Sequence, residues 1–271
     1  MNAFRQLLGS SGAHPPIGTW ISSGSPIVAE AMGCAGFDWG VLDMEHSPLD
    51  LMDLVHLLQA VASTKMLPVV RVPWNDTVVV KRVLDAGATT LMFPFVQDAD
   101  EARRAIAATR YPPEGVRGIA GVNRGSRFGT LANHVKTANQ HVGAIVQLET
   151  PAAIAQLEAI VAVPGVDAVF LGPADLSAAM GHVGNPMHPA VLDLMSQAVQ
   201  RCKAAGKPVG TVGSTPEVVA QYRATGFDFV AISSDLGLMM RGAQASITAL
   251  RTRDTEHVHT LAGGTQPSAA Y

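Results

Sequence analysis

The chain has 271 residues, a formal net charge of −3, and 48% hydrophobic against 15% charged residues, a balance that suits one globular domain and excludes a disordered or fibrous protein. Without a basic excess, nucleic acid and anionic membrane surfaces are excluded as partners, and small molecules are expected instead. Its 26 glycines and 17 prolines with only 5% aromatics point to an α/β protein with many short turns.

In chain order, short apolar runs fall at 17–20, 39–43, 67–71, 89–93, 143–148, 168–171, 208–212 and 229–232, each read as a buried parallel strand. Amphipathic stretches at 25–35, 49–62, 76–86, 99–108, 152–160, 189–205, 216–224 and 237–251 read as helices between and after them. Asp98 and Thr215 are placed as N-caps, the latter before Pro216 at the first helical position. Gly36, Gly87, Gly206 and Gly226 each follow a helix end, where a left-handed residue closes the helix at least cost without a Cβ. Strict alternation of eight strands and eight helices predicts a closed (β/α)8 TIM barrel, with a doubly wound open sheet as the alternative. One domain is expected over 1–253, followed by a flexible tail at 254–271, and the long 110–139 connection is expected to be functional.

Cys34 and Cys202 are too few for a disulfide scaffold and read as buried small hydrophobes in a reducing compartment. The N-terminal segment lacks the apolar core of a signal peptide, and no run approaches the length of a membrane span, so a cytoplasmic protein is expected.

A barrel carries its chemistry at the carboxyl ends of its strands. There the second strand delivers Asp43, Met44, Glu45 and His46, the third Arg71, the fifth Gln147 and Glu149, and the sixth Gly172, Pro173, Ala174 and Asp175. Glu149 and Asp175, with Gln147 on the same strand face as Glu149, form an all-oxygen site suited to Mg2+, Mn2+ or Co2+; the plainer reading is a pair of capping or salt-bridged carboxylates. His46 is the candidate general base, with Asp43 three residues earlier to orient its imidazole. The remaining histidines read mostly as surface or packed residues. Arg71 offers a permanently charged fork for an oxyanion or enolate, a buried structural arginine being the alternative. The amides around Gly172–Asp175 suit a substrate carboxylate. No lysine stands at a catalytic strand end, which argues against Schiff-base chemistry, and there is no GxSxG elbow, Walker loop or GxGxxG turn after a strand.

Leu-Asp-Met-Glu-His-Ser-Pro at 42–48, Val-Arg-Val-Pro-Trp-Asn-Asp at 70–76, Tyr-Pro-Pro-Glu-Gly-Val-Arg-Gly at 111–118, Val-Gln-Leu-Glu-Thr at 146–150 and Phe-Leu-Gly-Pro-Ala-Asp-Leu-Ser at 170–177 together resemble the HpcH/HpaI class II pyruvate aldolases. Gly-Asn-Pro-Met-His-Pro at 184–189 extends the likeness. The resemblance implies reversible retro-aldol cleavage of a 4-hydroxy-2-oxoacid to pyruvate and an aldehyde, as in relatives that cleave 4-hydroxy-2-oxoheptanedioate or 2-dehydro-3-deoxyglucarate. It implies Glu149 and Asp175 as ligands of a divalent cation, Gln147 supporting the oxoacid, Arg71 on its 2-oxo oxygen, and His46 with Asp43 as base. It also implies a hexamer, built as a trimer of dimers, in which a C-terminal helix is exchanged between subunits and Asp85 reaches a neighbour's site. Met44 and the 123–127 loop depart from the family pattern, so Arg124 is carried as a candidate for the aldehyde side of the pocket, a solvated loop charge being the alternative, and Val212, at the seventh strand end, is carried as shaping the same pocket. The competing readings are a carbon–carbon lyase of acyl-CoA or phosphoenolpyruvate-domain type and a non-catalytic oxoacid-binding barrel.

Overall fold

The computed structural model describes residues 2–10 and 15–262, with side chains through residue 252. The elements run α1 (Ala3–Ser10), β1 (Ile17–Ile21), α2 (Pro26–Cys34), β2 (Trp39–Asp43), α3 (Leu51–Val61), β3 (Leu67–Arg71), α4 (Thr77–Asp85), β4 (Thr90–Phe93), α5 (Ala99–Thr109) and α6 (His134–His141). They continue with β5 (Gly143–Leu148), α7 (Pro151–Ala155), α8 (Leu157–Val161), β6 (Ala168–Leu171), α9 (Pro173–Ala179), α10 (Pro189–Ala204), β7 (Val209–Gly213), α11 (Pro216–Thr225), β8 (Phe229–Ser234) and α12 (Asp235–Ala262). The strands pair in parallel in the order β1 to β8, and β8 closes on β1. The expected (β/α)8 barrel is therefore the architecture, and the open doubly wound sheet is excluded.

Period-two alternation separates two cores. Inward residues of the strands, Trp20, Trp39, Val41, Val69, Met92, Ile145, Phe170, Phe229 and Ala231, fill the barrel. Outward residues such as Leu42, Val70, Leu91, Val146 and Val169 pack against the helices. Phe4 of α1 belongs to the inner core, its ring 5.8 Å from Trp39 and 5.4 Å from Phe229 in edge-on geometry. Burying such a ring contributes roughly 1.5–3 kcal/mol, which explains why an eight-residue helix too short to persist alone is held here. Continuing the inward columns one step past each apolar layer brings Asp43, Arg71, Gln147 and Glu149 to one end of the barrel.

The punctuation read from sequence is realised. Gly36, Gly87, Gly206 and Gly226 have φ of 101°, 106°, 66° and 106°, and Asp98 and Thr215 accept the backbone N–H groups of Glu101 and Val218. Three elements differ from the sequence reading. Helix α1 was not anticipated, α6 lies inside the long connection, and the helix expected at 152–160 is broken at Gln156, whose φ of −92° and ψ of 8° separate α7 from α8. Cys202 is buried as expected, with burial pushing its thiol up to about 12, but Cys34 is exposed because it falls on the solvent side of α2.

The chain divides into two compact units, the first ending at Asp235 and the second beginning at Leu236. Helix α12 runs to Ala262, past the expected end at 251, because the sequence holds no Gly or Pro between Ala243 and Ala262. The expected tail at 254–271 thus overlaps this helix, and its portion from 263 lies outside the described residues. Among the described residues no helix is long and apolar enough to cross a membrane.

Candidate active site

At the carboxyl ends of the strands a cavity of about 450 Å³ is lined by Trp20, His46, Arg71, Gln147, Glu149, Gly172, Pro173, Ala174, Asp175 and Val212. Apart from Trp20 these are the sequence-predicted residues, and the set comes together although it derives from the ends of six strands. Ser22, Ser214, Ser233 and Ser234 complete one side of the rim, and Met187, Val218 and Tyr222 add an apolar wall.

Strand register sets the first relationship. Asp43 of β2 lies directly beside Arg71 of β3. Arg71 Nε donates to Asp43 Oδ1 at 2.8 Å and Nη2 donates to Oδ2 at 2.7 Å, a bidentate fork. Nη1 lies 2.8 Å from Glu45 Oε2 in an ion-pair contact without hydrogen-bond alignment. Nη1 is thus ion-paired with Glu45 but makes no aligned hydrogen bond, which leaves it able to donate to a bound oxygen. The guanidinium carbon also sits 5.5 Å from the Trp20 ring centre, a cation–π contact that braces the guanidinium. Burial works against the charge on Arg71, but the hydrogen bonds and charge of Asp43, with Glu45 and Glu149, raise its pKa and keep it protonated.

This corrects two expectations. Asp43 does not orient the His46 ring: its carboxylate is engaged with Arg71, and it meets His46 only through the backbone N–H, 3.5 Å from Oδ1. The carboxylate facing the ring is Glu45, whose Oε1 is 3.8 Å from His46 Nε2. Arg71 also carries the structural ion pairs set out as the alternative to a free fork, with Asp43 and Glu45 as partners. Glu45 was passed over as a functional residue, yet the signal was present, since a residue two positions beyond Asp43 returns to the same side of an extended chain.

Glu149 is 4% exposed. Its Oε2 accepts the Phe95 N–H at 2.9 Å and its Oε1 accepts from Gln147 Nε2 at 3.2 Å. Phe95 has a φ of 54°, a left-handed backbone costing on the order of 1 kcal/mol for such a residue, and this conformation aims its amide at the carboxylate. Burial, reinforced by the charge of Asp175, pushes the Glu149 carboxyl up to about 7. Burial likewise raises Glu45, with Asp43 and Asp175 reinforcing and Arg71 and His46 opposing. Gln147 Oε1 is buried without a hydrogen-bond partner.

Three carboxylates, Asp43, Glu45 and Glu149, thus act on one guanidinium, and Asp175 acts on Glu45 and Glu149, so negative charge outnumbers positive charge in the cavity. A divalent cation held by Glu149 and Asp175 fits this deficit, and two protein carboxylates leave coordination positions for water or substrate. Gly172, beside Glu149, is required here, since a Cβ would overlap the carboxylate. No side chain caps α9, which starts at Pro173 after Gly172, so its first-turn N–H groups remain available to an anionic group.

Two candidate residues lie elsewhere in the same chain. Arg124 Nη1 donates to Ala86 O at 3.0 Å, and Arg124 lines a separate cavity with Gly87, Thr89 and Val142, which precede or begin β4 and β5. It belongs to the opposite end of those strands because the long connection folds back beneath them. Asp85 is held by Arg117 Nη2 at 2.8 Å and by Asn123.

The model of the family "HpcH/HpaI aldolase/citrate lyase" matches residues 16–242. A 2-dehydro-3,6-dideoxy-6-sulfogluconate aldolase of Pseudomonas putida is 51% identical over 88% of this chain and 93% of its own length. A 4-hydroxy-2-oxo-heptane-1,7-dioate aldolase of Salmonella heidelberg (strain SL476) is 44% identical over 90% of this chain and 92% of its own. The crystal structure of an HpcH/HpaI aldolase/citrate lyase family protein from Burkholderia cenocepacia J2315 superposes with a TM-score of 0.89 at 40% identity, covering 93% of this chain and 100% of that one. The barrel, the motifs it gathers at one mouth and these similarities converge: the chain belongs to the HpcH/HpaI aldolase/citrate lyase family.

Proposed function

We propose that the protein is a class II pyruvate aldolase that cleaves a 4-hydroxy-2-oxoacid reversibly into pyruvate and an aldehyde. The observation that carries this reading is the convergence in one cavity of the Arg71 guanidinium, whose Nη1 makes no aligned hydrogen bond, with the buried Glu149 and the exposed Asp175. The N–H groups at the start of α9 bind the substrate carboxylate. Arg71 Nη1 donates to the 2-oxo oxygen and holds its charge as the C3–C4 bond breaks and an enolate forms. His46 takes the 4-hydroxyl proton, and the carbonyl of the departing aldehyde forms at that oxygen. Gln147 braces Glu149 through Nε2, and its free Oε1 accepts from a hydroxyl of the bound oxoacid or from a bound water. Val212 packs against the organic part of the substrate. A divalent cation, Mg2+, Mn2+ or Co2+, would supply Lewis acidity at the oxoacid's carboxylate and 2-oxo group.

The assembly we propose is a hexamer, a trimer of dimers with α12 exchanged between subunits. Support comes from the 28-residue length of α12 and from its separation as a compact unit beginning at Leu236. In that assembly Asp85, fixed by Arg117, reaches a neighbour's site. Sedimentation of the full chain at several concentrations tests the hexamer.

The test of the activity is pyruvate release from a panel of 4-hydroxy-2-oxoacids after chelation, with Mg2+, Mn2+, Co2+ or no cation restored. Cation-dependent pyruvate is the expected result; its absence with every substrate and cation sinks the aldolase reading and favours an oxoacid-binding barrel.

A further inference from the structure

We propose that Glu45 is a positioning residue that holds the general base His46 in register with the guanidinium of Arg71, which Asp43 already fixes. The inference rests on the aldolase reading for the roles of those two partners, and on geometry for the link between them.

Glu45 stands between the two groups, with Oε2 at 2.8 Å from Arg71 Nη1 and Oε1 at 3.8 Å from His46 Nε2. The His46 side chain is 67% exposed, and among the described residues its ring makes no hydrogen bond, so Glu45 at 3.8 Å is the carboxylate the structure places against it. Arg71 is already fixed in its plane by Asp43, so a second carboxylate is not needed to keep the guanidinium in place. Glu45 Oε2 is moreover buried, and its contact with Arg71 Nη1 lacks hydrogen-bond alignment, so the ion pair offsets only part of the desolvation cost of the carboxylate. Such a cost is expected where a group serves a site rather than a fold. The short link Asp43–Met44–Glu45–His46 makes the coupling local: the Glu45 N–H donates to Asp43 Oδ1 at 3.0 Å and the Met44 N–H donates to Arg71 O at 3.0 Å. The backbone carrying Glu45 is thereby pinned to both strands.

The isosteric variant Glu45→Gln tests the role with little risk to folding, and Glu45→Asp keeps the charge on a shorter arm. In Glu45→Gln, kcat for the retro-aldol reaction is expected to fall about 50-fold with little change in KM, because the carboxylate of the substrate is held at α9. Affinity for oxalate with Mg2+, measured by calorimetry, is expected to hold or tighten, since a negative charge has left an anion site. Glu45→Asp is expected to recover at least a fifth of wild-type kcat. Crystal structures of wild type and Glu45→Gln should show the imidazole displaced only in the variant. A kcat within threefold of wild type with an unmoved ring overturns the proposal, as does a parallel loss of kcat and oxalate affinity, which would mark Glu45 as a scaffold residue. If wild type releases no pyruvate from any substrate, the aldolase reading fails, and the crystallographic comparison alone decides whether Glu45 holds the ring.

Discussion

Asp43 and Arg71 are register partners on neighbouring strands, and both oxygens of the carboxylate receive N–H groups of the guanidinium, at 2.8 and 2.7 Å. The pair is nearly sealed from solvent, with Asp43 2% and Arg71 7% exposed. Removing one member of a buried pair strands the other, a loss of about 3–5 kcal/mol when no second partner exists. Glu45 is such a second partner, so Asp43→Asn is expected to cost roughly 2 kcal/mol, visible as a lower midpoint in chemical denaturation. Arg71→Lys retains the charge but not the fork. It is expected to fold normally and to lose about 100-fold or more in kcat, as removal of an oxyanion donor does. Equal kcat in wild type and Arg71→Lys would remove the guanidinium from the chemistry.

Glu149 links the site to pH. Its folded-state carboxyl titrates at about 7 against an ordinary 4.5, chiefly through burial and secondarily through Asp175. Because the folded-state value is raised, its contribution to stability is intact below about 4.5 and is lost as pH climbs toward 7. The loss is about 3 kcal/mol at most, at 1.36 kcal/mol per unit. Cation-free wild type is therefore expected to melt at a lower temperature at pH 7.5 than at pH 5.5 by more than Glu149→Gln does, the variant cancelling the shared contributions of other groups. Cation binding needs the ionised carboxylate, so Mg2+ affinity should rise with pH up to about 7 and then level off, which calorimetry in buffers of different ionisation enthalpy would read as a released proton below that point.

Much of this was legible in the sequence, for identifiable reasons. The barrel followed from eight apolar runs alternating with amphipathic stretches, and strand alternation carried Asp43, Arg71, Gln147 and Glu149 to one mouth because each continues an inward column whose lower positions, such as Val41, Val69 and Ile145, are apolar. What sequence could not give was pairwise choice. Asp43 lies three residues from His46 yet meets Arg71, 28 residues away, because strand register outranks sequence proximity. Arg124 was placed at the pocket because its loop departs from the family pattern, but that loop follows α5 and folds back to Ala86 O at the opposite end of the strands. Trp20 and the rim serines were missed for a different reason: the first, seventh and eighth strands end in residues with no charge to mark them.

Gly172 makes a backbone prediction. A methyl group there would overlap the Glu149 carboxylate, and the backbone on either side is fixed by β6 and by the start of α9. The carboxylate must therefore move, abandoning the Phe95 N–H or Gln147. Gly172→Ala is expected to fold, to weaken Mg2+ binding by tenfold or more in calorimetry, and to recover part of its activity at high Mg2+. Unchanged Mg2+ affinity would show that Glu149 is not a ligand in the position it holds.

His46 separates chemistry from stability more cleanly than any other residue in the cavity. With a side chain 67% exposed, its truncation removes little packing, and His46→Ala is expected to leave the denaturation midpoint unchanged. A general base contributes about 10²–10⁴ to a rate, so kcat should fall within that range while oxalate affinity with Mg2+ stays within a few-fold of wild type. Added imidazole should restore part of the lost kcat in a concentration-dependent way, because truncation opens a space toward solvent beside Glu45. Undiminished retro-aldol turnover in His46→Ala would assign the proton transfer to another group. The buried, elevated carboxyl of Glu149 is a poor substitute, since a role in holding a cation requires it ionised and occupied. Water at the open mouth, or an acid from a neighbouring subunit such as Asp85, would then be the acceptor, and Asp85→Asn in the His46→Ala background distinguishes them: a further loss of turnover identifies the carboxylate, and none identifies water.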